Sequence, residues 1–213
     1  AAVGGDIGAG MTSRLGFAHP DKLTGIHLTS VTRPTPYLGP GSRPLSEAES
    51  AHSTQRENWQ QAEGGYAHIQ GTKPQTLAYG LNDSPAGLAA WIVEKYRTWS
   101  DCHGDVESRF TKDELLTTIT IYWVTQTISS STRMYLENQT HTWSMGAEER
   151  VKAPAGMAMF PQEIAKPPRE WAERSYDVRR WTEMPSGGHF AALEEPALLA
   201  GEIREFFRPL RTS

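Results

Sequence analysis

The sequence predicts an α/β protein: a mostly parallel sheet flanked by helices, with an inserted helical cap. Three observations carry that expectation. The chain opens on small and apolar residues that turn through Gly4-Gly5-Asp6-Ile7-Gly8, the shape of a strand-to-helix elbow. Strand and helix textures then alternate in 1–36 and again in 149–213. Between them, over 37–148, the apolar residues recur at helical spacing. Strands that alternate with helices at such intervals indicate a parallel sheet.

Each element has a local reason. Gly8 to about Ala18 is small and apolar, as suits a helix packed closely under the elbow. Gly25-Ile26-His27-Leu28-Thr29-Ser30-Val31 reads as a short buried strand. The run from Arg33 to Gly41 is too rich in proline and glycine for regular structure, and is expected to lead out of the core. Ser46-Glu47-Ala48-Glu49 is a capping box that should open a polar helix reaching about Ala62. Ser84 and Pro85 start another helix, with Asp83 and Ser84 as its capping residues. Thr111-Lys112-Asp113-Glu114 precedes one long apolar pattern from Leu115 to Met134. A strand is expected over Val151–Phe160, a short helix over Arg169–Ser175, a last strand over Asp177–Glu183 and a closing helix over Ala191–Leu210.

Composition narrows the function. The formal net charge is -4, 22% of residues are charged, and neither sign forms a long run. A nucleic-acid surface would be basic, so no nucleic-acid partner is expected. Hydrophobic residues make up 38% of the chain, as in a soluble globular protein. No run of about 18 apolar residues or signal-peptide pattern occurs, so no membrane span or signal peptide is expected within these residues. The single cysteine, Cys102, provides no internal disulfide framework and fits a cytoplasmic location. It lies in the polar run Trp99–Gly104 and is expected at a helix end or in a loop. Histidines and cysteine show no ligand spacing, so no metal or organic cofactor is expected. Trp59, Trp91, Trp99, Trp123 and Trp143 are read as core aromatics.

The elbow is where chemistry enters. Such a turn presents a nucleophile in a strained conformation, and its glycines remove flanking Cβ atoms. An aspartate there is ionised at neutral pH and needs no base to activate it. Its attack on an sp3 carbon would form an alkyl ester, which a histidine could hydrolyse by activating water. Taken alone, the same five residues are more often a structural turn.

Further stretches decide between these readings. They are Gly65-Tyr66-Ala67-His68-Ile69-Gln70-Gly71-Thr72-Lys73-Pro74-Gln75-Thr76, Leu81-Asn82-Asp83-Ser84-Pro85-Ala86-Gly87, with its continuation to Lys95, and Ser130-Ser131-Thr132-Arg133-Met134-Tyr135-Leu136-Glu137-Asn138. Phe160-Pro161-Gln162-Glu163-Ile164 and the run from Gly187 through His189 to Pro196 complete the set. In order and spacing the chain resembles the epoxide hydrolases of the microsomal type, with their soluble bacterial relatives, in the α/β-hydrolase superfamily. The match runs from the nucleophile elbow to the C-terminus, and the N-terminal half of the fold is expected to lie outside this chain.

The resemblance assigns roles. Asp6 would be the nucleophile, His189 the base and Glu163 the carboxylate orienting it, with Glu183 and Asp177 as rivals nearer in sequence. Tyr66 and Tyr135 correspond to two cap tyrosines that donate to the epoxide oxygen as it gains negative charge. The backbone N–H of Ile7 would be one oxyanion-hole donor. The other belongs to a His-Gly-x-Pro-type loop that this chain does not contain. Ile7 also stands where many relatives have tryptophan. Tyr37, Tyr79, Tyr96 and Tyr122 read as packing or pocket rim, and Asn82 and Arg133 as cap architecture.

The expected partners are a small-molecule epoxide, water and the N-terminal segment of the same enzyme, with a homo-oligomer also open. Detoxification and natural-product tailoring fit equally. Two alternatives stay on the page. A haloalkane dehalogenase would use the same nucleophile but needs halide donors that Ile7 does not supply. A non-catalytic fragment would bind or pack without turnover until joined by its missing part.

Overall fold

The computed structural model describes residues 1–211. Four parallel strands form one sheet in the order β1 (Ala2–Gly4), β2 (Ile26–Leu28), β3 (Val151–Met159) and β4 (Tyr176–Glu183). Val3 pairs with His27 and His27 with Gly156, so the short strands stay in register with the middle of β3. Helix α1 (Asp6–Ala18) connects β1 to β2, and α8 (Arg169–Glu173) connects β3 to β4. The chain from β2 to β3 makes the long helical excursion.

Ile26, Leu28, Val151, Ala155 and Met157 are wholly buried. Strands β2 and β3 therefore read as near-continuous buried runs, as central parallel strands covered on both faces do. Successive β2 side chains point to opposite faces. Ile26 and Leu28 join the cluster that includes Ala9 of α1, whereas His27 meets the Phe206 ring at 5.8 Å. Phe206 lies on α10 (Pro196–Phe207), which follows α9 (Ala191–Glu194). Neither ring nitrogen of His27 has a hydrogen-bond partner among the described residues. Burial holds its pKa down at about 4, so it stays neutral in the apolar layer.

The chain divides into two compact units, one of residues 1–54 with 143–213 and one of residues 55–142. Residues 37–54 and 143–148 thus group with the sheet. The tie is α2 (Glu47–Glu63), whose capping box forms: Ser46 N donates to Glu49 Oε2 and Glu49 N to Ser46 Oγ. Sequence pattern made this a polar helix, yet Glu49 is wholly buried. Arg174 Nε donates to its Oε1 at 2.5 Å and Arg43 Nη1 to its Oε2 at 2.8 Å. A buried carboxylate is tolerable because two guanidinium groups satisfy it.

The second unit holds α3 (Gly65–Thr72), α4 (Pro74–Asp83), α5 (Pro85–Trp99), α6 (Lys112–Thr125) and α7 (Ile128–Thr140). Leu81, Leu88, Ile119 and Ile128 form its core, with Trp91 and Trp123 packed partly buried against it. Of the five tryptophans read as core, Trp99 alone is buried. Cys102 is buried beyond the end of α5, its Sγ on the Arg97 carbonyl.

Three local expectations change. The pattern from Leu115 to Met134 is two helices, because Gln126 adopts a left-handed conformation (φ 53°) that ends α6. The closing helix breaks at Pro196, which lacks the N–H to continue α9 and sits instead in the first turn of α10. Asp83 ends α4; Ser84 alone caps α5, accepting from Gly87 N.

Candidate active site

The elbow is formed by residues that leave almost no space. Asp6 has φ 47°, a left-handed conformation that a non-glycine residue adopts at a cost in strain. A Cβ on Gly4 would lie 2.3 Å from the Gly8 carbonyl oxygen, and one on Gly5 would lie 2.5 Å from Thr29 Oγ1. Gly8 differs from the sequence-based expectation, since a Cβ there would meet nothing within 4 Å among the described residues. The crowding is one-sided: Gly4 packs on the backbone of Gly8, not the reverse. The Asp6 N–H donates to Ser30 Oγ at 2.9 Å, tying the elbow to the end of β2. Ser30 was not singled out in the sequence. Its signal was a polar residue closing the buried β2 run.

Asp6 opens α1, and its carboxylate is 58% exposed. Ile7 is the second residue of α1 and carries a first-turn N–H that no carbonyl within the helix can satisfy. It therefore offers a backbone donor beside Asp6, and the helix dipole favours negative charge there.

Two loops bring Glu163 and His189 to this point. Glu163 follows β3, and His189 follows β4. The loops are linked by a parallel bridge between Gln162 and Gly188, with Gln162 N donating to the Gly187 carbonyl. Gly187 has φ 99°, and a Cβ there would meet Phe160 at 2.9 Å, so the turn before His189 requires glycine. His189 Nδ1 lies 2.7 Å from Glu163 Oε1. Its Nε2 lies 3.6 Å from Asp6 Oδ2, a charge contact longer than a hydrogen bond.

These contacts set the electrostatics. Burial disfavours the imidazolium, but the Asp6 and Glu163 carboxylates outweigh it and push the His189 pKa up to about 10. Glu163 is buried and also accepts from the Ile164 N–H, which secures its orientation. The rivals lie elsewhere: Asp177 pairs with Arg179, and Glu183 is exposed at the end of β4.

Tyr66 and Tyr135 come together within the helical unit, from α3 and α7. Their rings meet edge to face at 5.8 Å, both half-buried. The remaining tyrosines do other things. Tyr37 donates weakly to the Pro40 carbonyl, Tyr79 is exposed beside Gln75, Tyr96 packs edge-on against Phe110, and Tyr122 joins the helical core. Arg133 bridges to Glu137 on the surface of α7. Among the described residues, no group of three or more His, Cys, Asp or Glu could hold a metal ion. No described helix is long and apolar enough to cross a membrane.

A parallel sheet, an aspartate elbow after its first strand, and an acid and a histidine after the last two strands define the α/β-hydrolase fold. Solved structures agree. The chain superimposes on Aspergillus niger epoxide hydrolase with a TM-score of 0.80 and 30% identity, covering 98% of this chain and 52% of that one. With juvenile hormone epoxide hydrolase of Bombyx mori the TM-score is 0.81 at 28% identity, over 98% and 54%.

Sequence relatives narrow the class further. A candidate epoxide hydrolase of Stigmatella aurantiaca is 44% identical over 99% of this chain and 47% of its own length. Epoxide hydrolase 1 of Sus scrofa is 46% identical over 68% of this chain and 34% of its own. No family model matches. The chain belongs with the epoxide hydrolases of the α/β-hydrolase fold, whose C-terminal portion it matches. It spans about half the length of the relative from Stigmatella aurantiaca.

Proposed function

We propose that this chain carries the reacting groups of an epoxide hydrolase that makes vicinal diols through an aspartyl ester. The observation that carries the reading is the alignment of Asp6, His189 and Glu163 at one end of the sheet. An exposed carboxylate on a strained elbow is a nucleophile in waiting. A buried, acid-paired imidazole beside it is the partner that ester hydrolysis requires.

In the first step an Asp6 carboxylate oxygen bonds to an oxirane carbon as the carbon–oxygen bond of the ring breaks. Tyr66 and Tyr135 donate to the departing oxygen, and a phenol proton passes to it, leaving a hydroxyalkyl ester and a phenolate. Esterification removes the negative charge on Asp6, so His189 loses one of the two charges that hold its proton. It can then release that proton to solvent and act as a base, and it takes one up again once the Asp6 carboxylate is restored.

In the second step His189 takes a proton from water, whose oxygen attacks the ester carbonyl. The Ile7 N–H stabilises the resulting oxyanion. The substrate oxygen leaves with the proton from His189, giving the diol, and the new carboxylic acid ionises and returns a proton to the phenolate. The first product therefore carries an oxygen from Asp6. No metal or cofactor enters the scheme. A second oxyanion donor would come from an N-terminal segment that completes the sheet beyond β1, where Val3 is half exposed.

The test is single-turnover reaction of the full natural protein with styrene oxide in oxygen-18 water. Diol lacking the label in the first turnover, and no diol from Asp6→Ala, is the expected result. Label in the first-turnover diol would mean direct attack by water and would sink the covalent route. Unchanged diol formation by Asp6→Ala would remove Asp6 from the reaction.

A further inference from the structure

Lys95 belongs to α5, one helical turn before Trp99, so the two side chains share a helix face. The Lys95 ammonium lies 4.5 Å from the centre of the Tyr66 ring and 5.5 Å from that of Trp99. Tyr66 and Trp99 also pack on each other, with ring centres 5.1 Å apart. The aromatic pair thus holds the cation against the ring of one of the two phenols. Only 17% of the Lys95 side chain is exposed. Its counter-charge is Glu94, 2.5 Å away and 50% exposed, which Thr98 also hydrogen-bonds. The negative end of the pair faces water and the positive end faces the ring.

A lysine on a helix surface normally keeps its ammonium in bulk water. Here desolvation is accepted at a position where the neutral ring offers only a modest cation–π attraction. A phenolate would offer much more, because it delocalises negative charge into the ring that the ammonium faces, in a partly desolvated setting.

We infer that Lys95 is a positioning residue that acts through Tyr66, stabilising the negative charge its phenol oxygen gains as the epoxide ring opens. The inference rests on the donor role proposed above for Tyr66. The cation is not consumed and no proton leaves it. It makes Tyr66 a stronger acid in the ring-opening step, while the hydrolytic step at Asp6 and His189 is untouched. Tyr135, edge-on to Tyr66, remains the second donor, and Lys95, with its partner Glu94, places a charge against the Tyr66 ring.

The experiment is a carbon-13 NMR titration of the tyrosine ζ carbons in this chain, with Tyr66→Phe identifying the Tyr66 signal. Replacing the cation in Lys95→Met, and in Lys95→Gln as a second neutral variant, should raise the Tyr66 midpoint by about one pH unit. Lys95→Arg keeps the charge and should restore the midpoint to within a few tenths. Neutral variants that leave the midpoint in place would overturn the inference.

Single-turnover ring opening in the full natural protein supplies the second arm. Lys95→Met should slow ester formation about tenfold, leave ester hydrolysis unchanged, and have no further effect in a Tyr66→Phe background. An equal loss in that background would show that Lys95 does not act through Tyr66. A shifted titration with unimpaired ring opening in Tyr66→Phe would instead overturn the donor role of Tyr66, and with it the part of Lys95 in the reaction.

Discussion

His189 Nδ1 lies 2.7 Å from Glu163 Oε1, and the two side chains are only 7% and 2% exposed. A buried carboxylate needs a cation or strong donors, and the imidazole is the group that meets it. Glu163→Gln keeps the shape and removes the charge. Ester hydrolysis should fall on the order of 10^3-fold, as expected when an orienting carboxylate in a triad is neutralised. Rapid-quench kinetics of the ester intermediate measure this, and Glu183→Gln and Asp177→Asn should stay within about twofold of the parent.

The charge of Asp6 controls the proton on His189. With both carboxylates ionised the imidazole is held up at about 10, above the ordinary histidine value of 6.5. Asp6→Asn mimics the loss of charge on esterification, and the His189 midpoint should drop by about two units in nitrogen-15 NMR. The sign for stability follows. A raised folded value means the stabilisation is fully present below about pH 6.5 and is lost as pH rises through about 10. Urea unfolding of the chain should weaken over that window, and the slope should flatten in Asp6→Asn. A His189 midpoint that does not respond to Asp6→Asn would break the link between the two steps.

Glu49 is the charged anchor of residues 37–54. Hydrogen bonding from Arg174 holds it down at about 2 against the cost of burial, helped by Ser46 and Arg43. Glu49→Ala would leave Arg174, 6% exposed, without its carboxylate, and should cost about 3 kcal/mol in chemical denaturation at pH 7. A depressed folded value gives stability that is present above the unfolded value and lost as pH falls. The gap between the parent and Glu49→Ala should therefore narrow between about pH 4.5 and 2. An undiminished gap at pH 3 would mean that packing, not charge, accounts for the loss.

The elbow glycines should respond unequally. Gly4→Ala would drive a methyl group into the Gly8 backbone, and should cost about 3 kcal/mol or prevent folding. Gly8→Ala meets open space inside α1 and should stabilise the 213-residue chain by about 0.5–1 kcal/mol through helix propensity. Thermal unfolding of the two variants checks both signs. Equal destabilisation would contradict the one-sided crowding at the turn.

Local physics was legible wherever it acts over a few residues. The Ser46, Ser84 and Thr111 caps sit where their short-range hydrogen bonding places them, and β2 and β3 follow from their apolar runs. The elbow, with Asp6 at its apex, was visible because a turn that tight demands small residues at fixed offsets. Helix interruptions were less legible. Gln126 ends α6 in a conformation that no side-chain pattern announces, and Pro196 could start a helix as easily as kink one.

The chain order of Asp6, Glu163 and His189, and the residue types at each place, were set by the sequence and needed no coordinates. Which acid meets the imidazole was decided only by tertiary structure. Glu163 is 26 positions from His189, whereas Glu183 is much nearer along the chain. Parallel strands β3 and β4 end side by side, so the loops that follow them converge, and the Gln162–Gly188 bridge closes the distance. The same holds for Glu49 and Lys95. Each is a charged residue on a helix, drawn inward by partners that folding alone brings near: Arg174, distant in sequence, and the rings of Tyr66 and Trp99. Sequence pattern records what a residue is and what stands beside it, while burial and charge pairing depend on neighbours that only packing supplies.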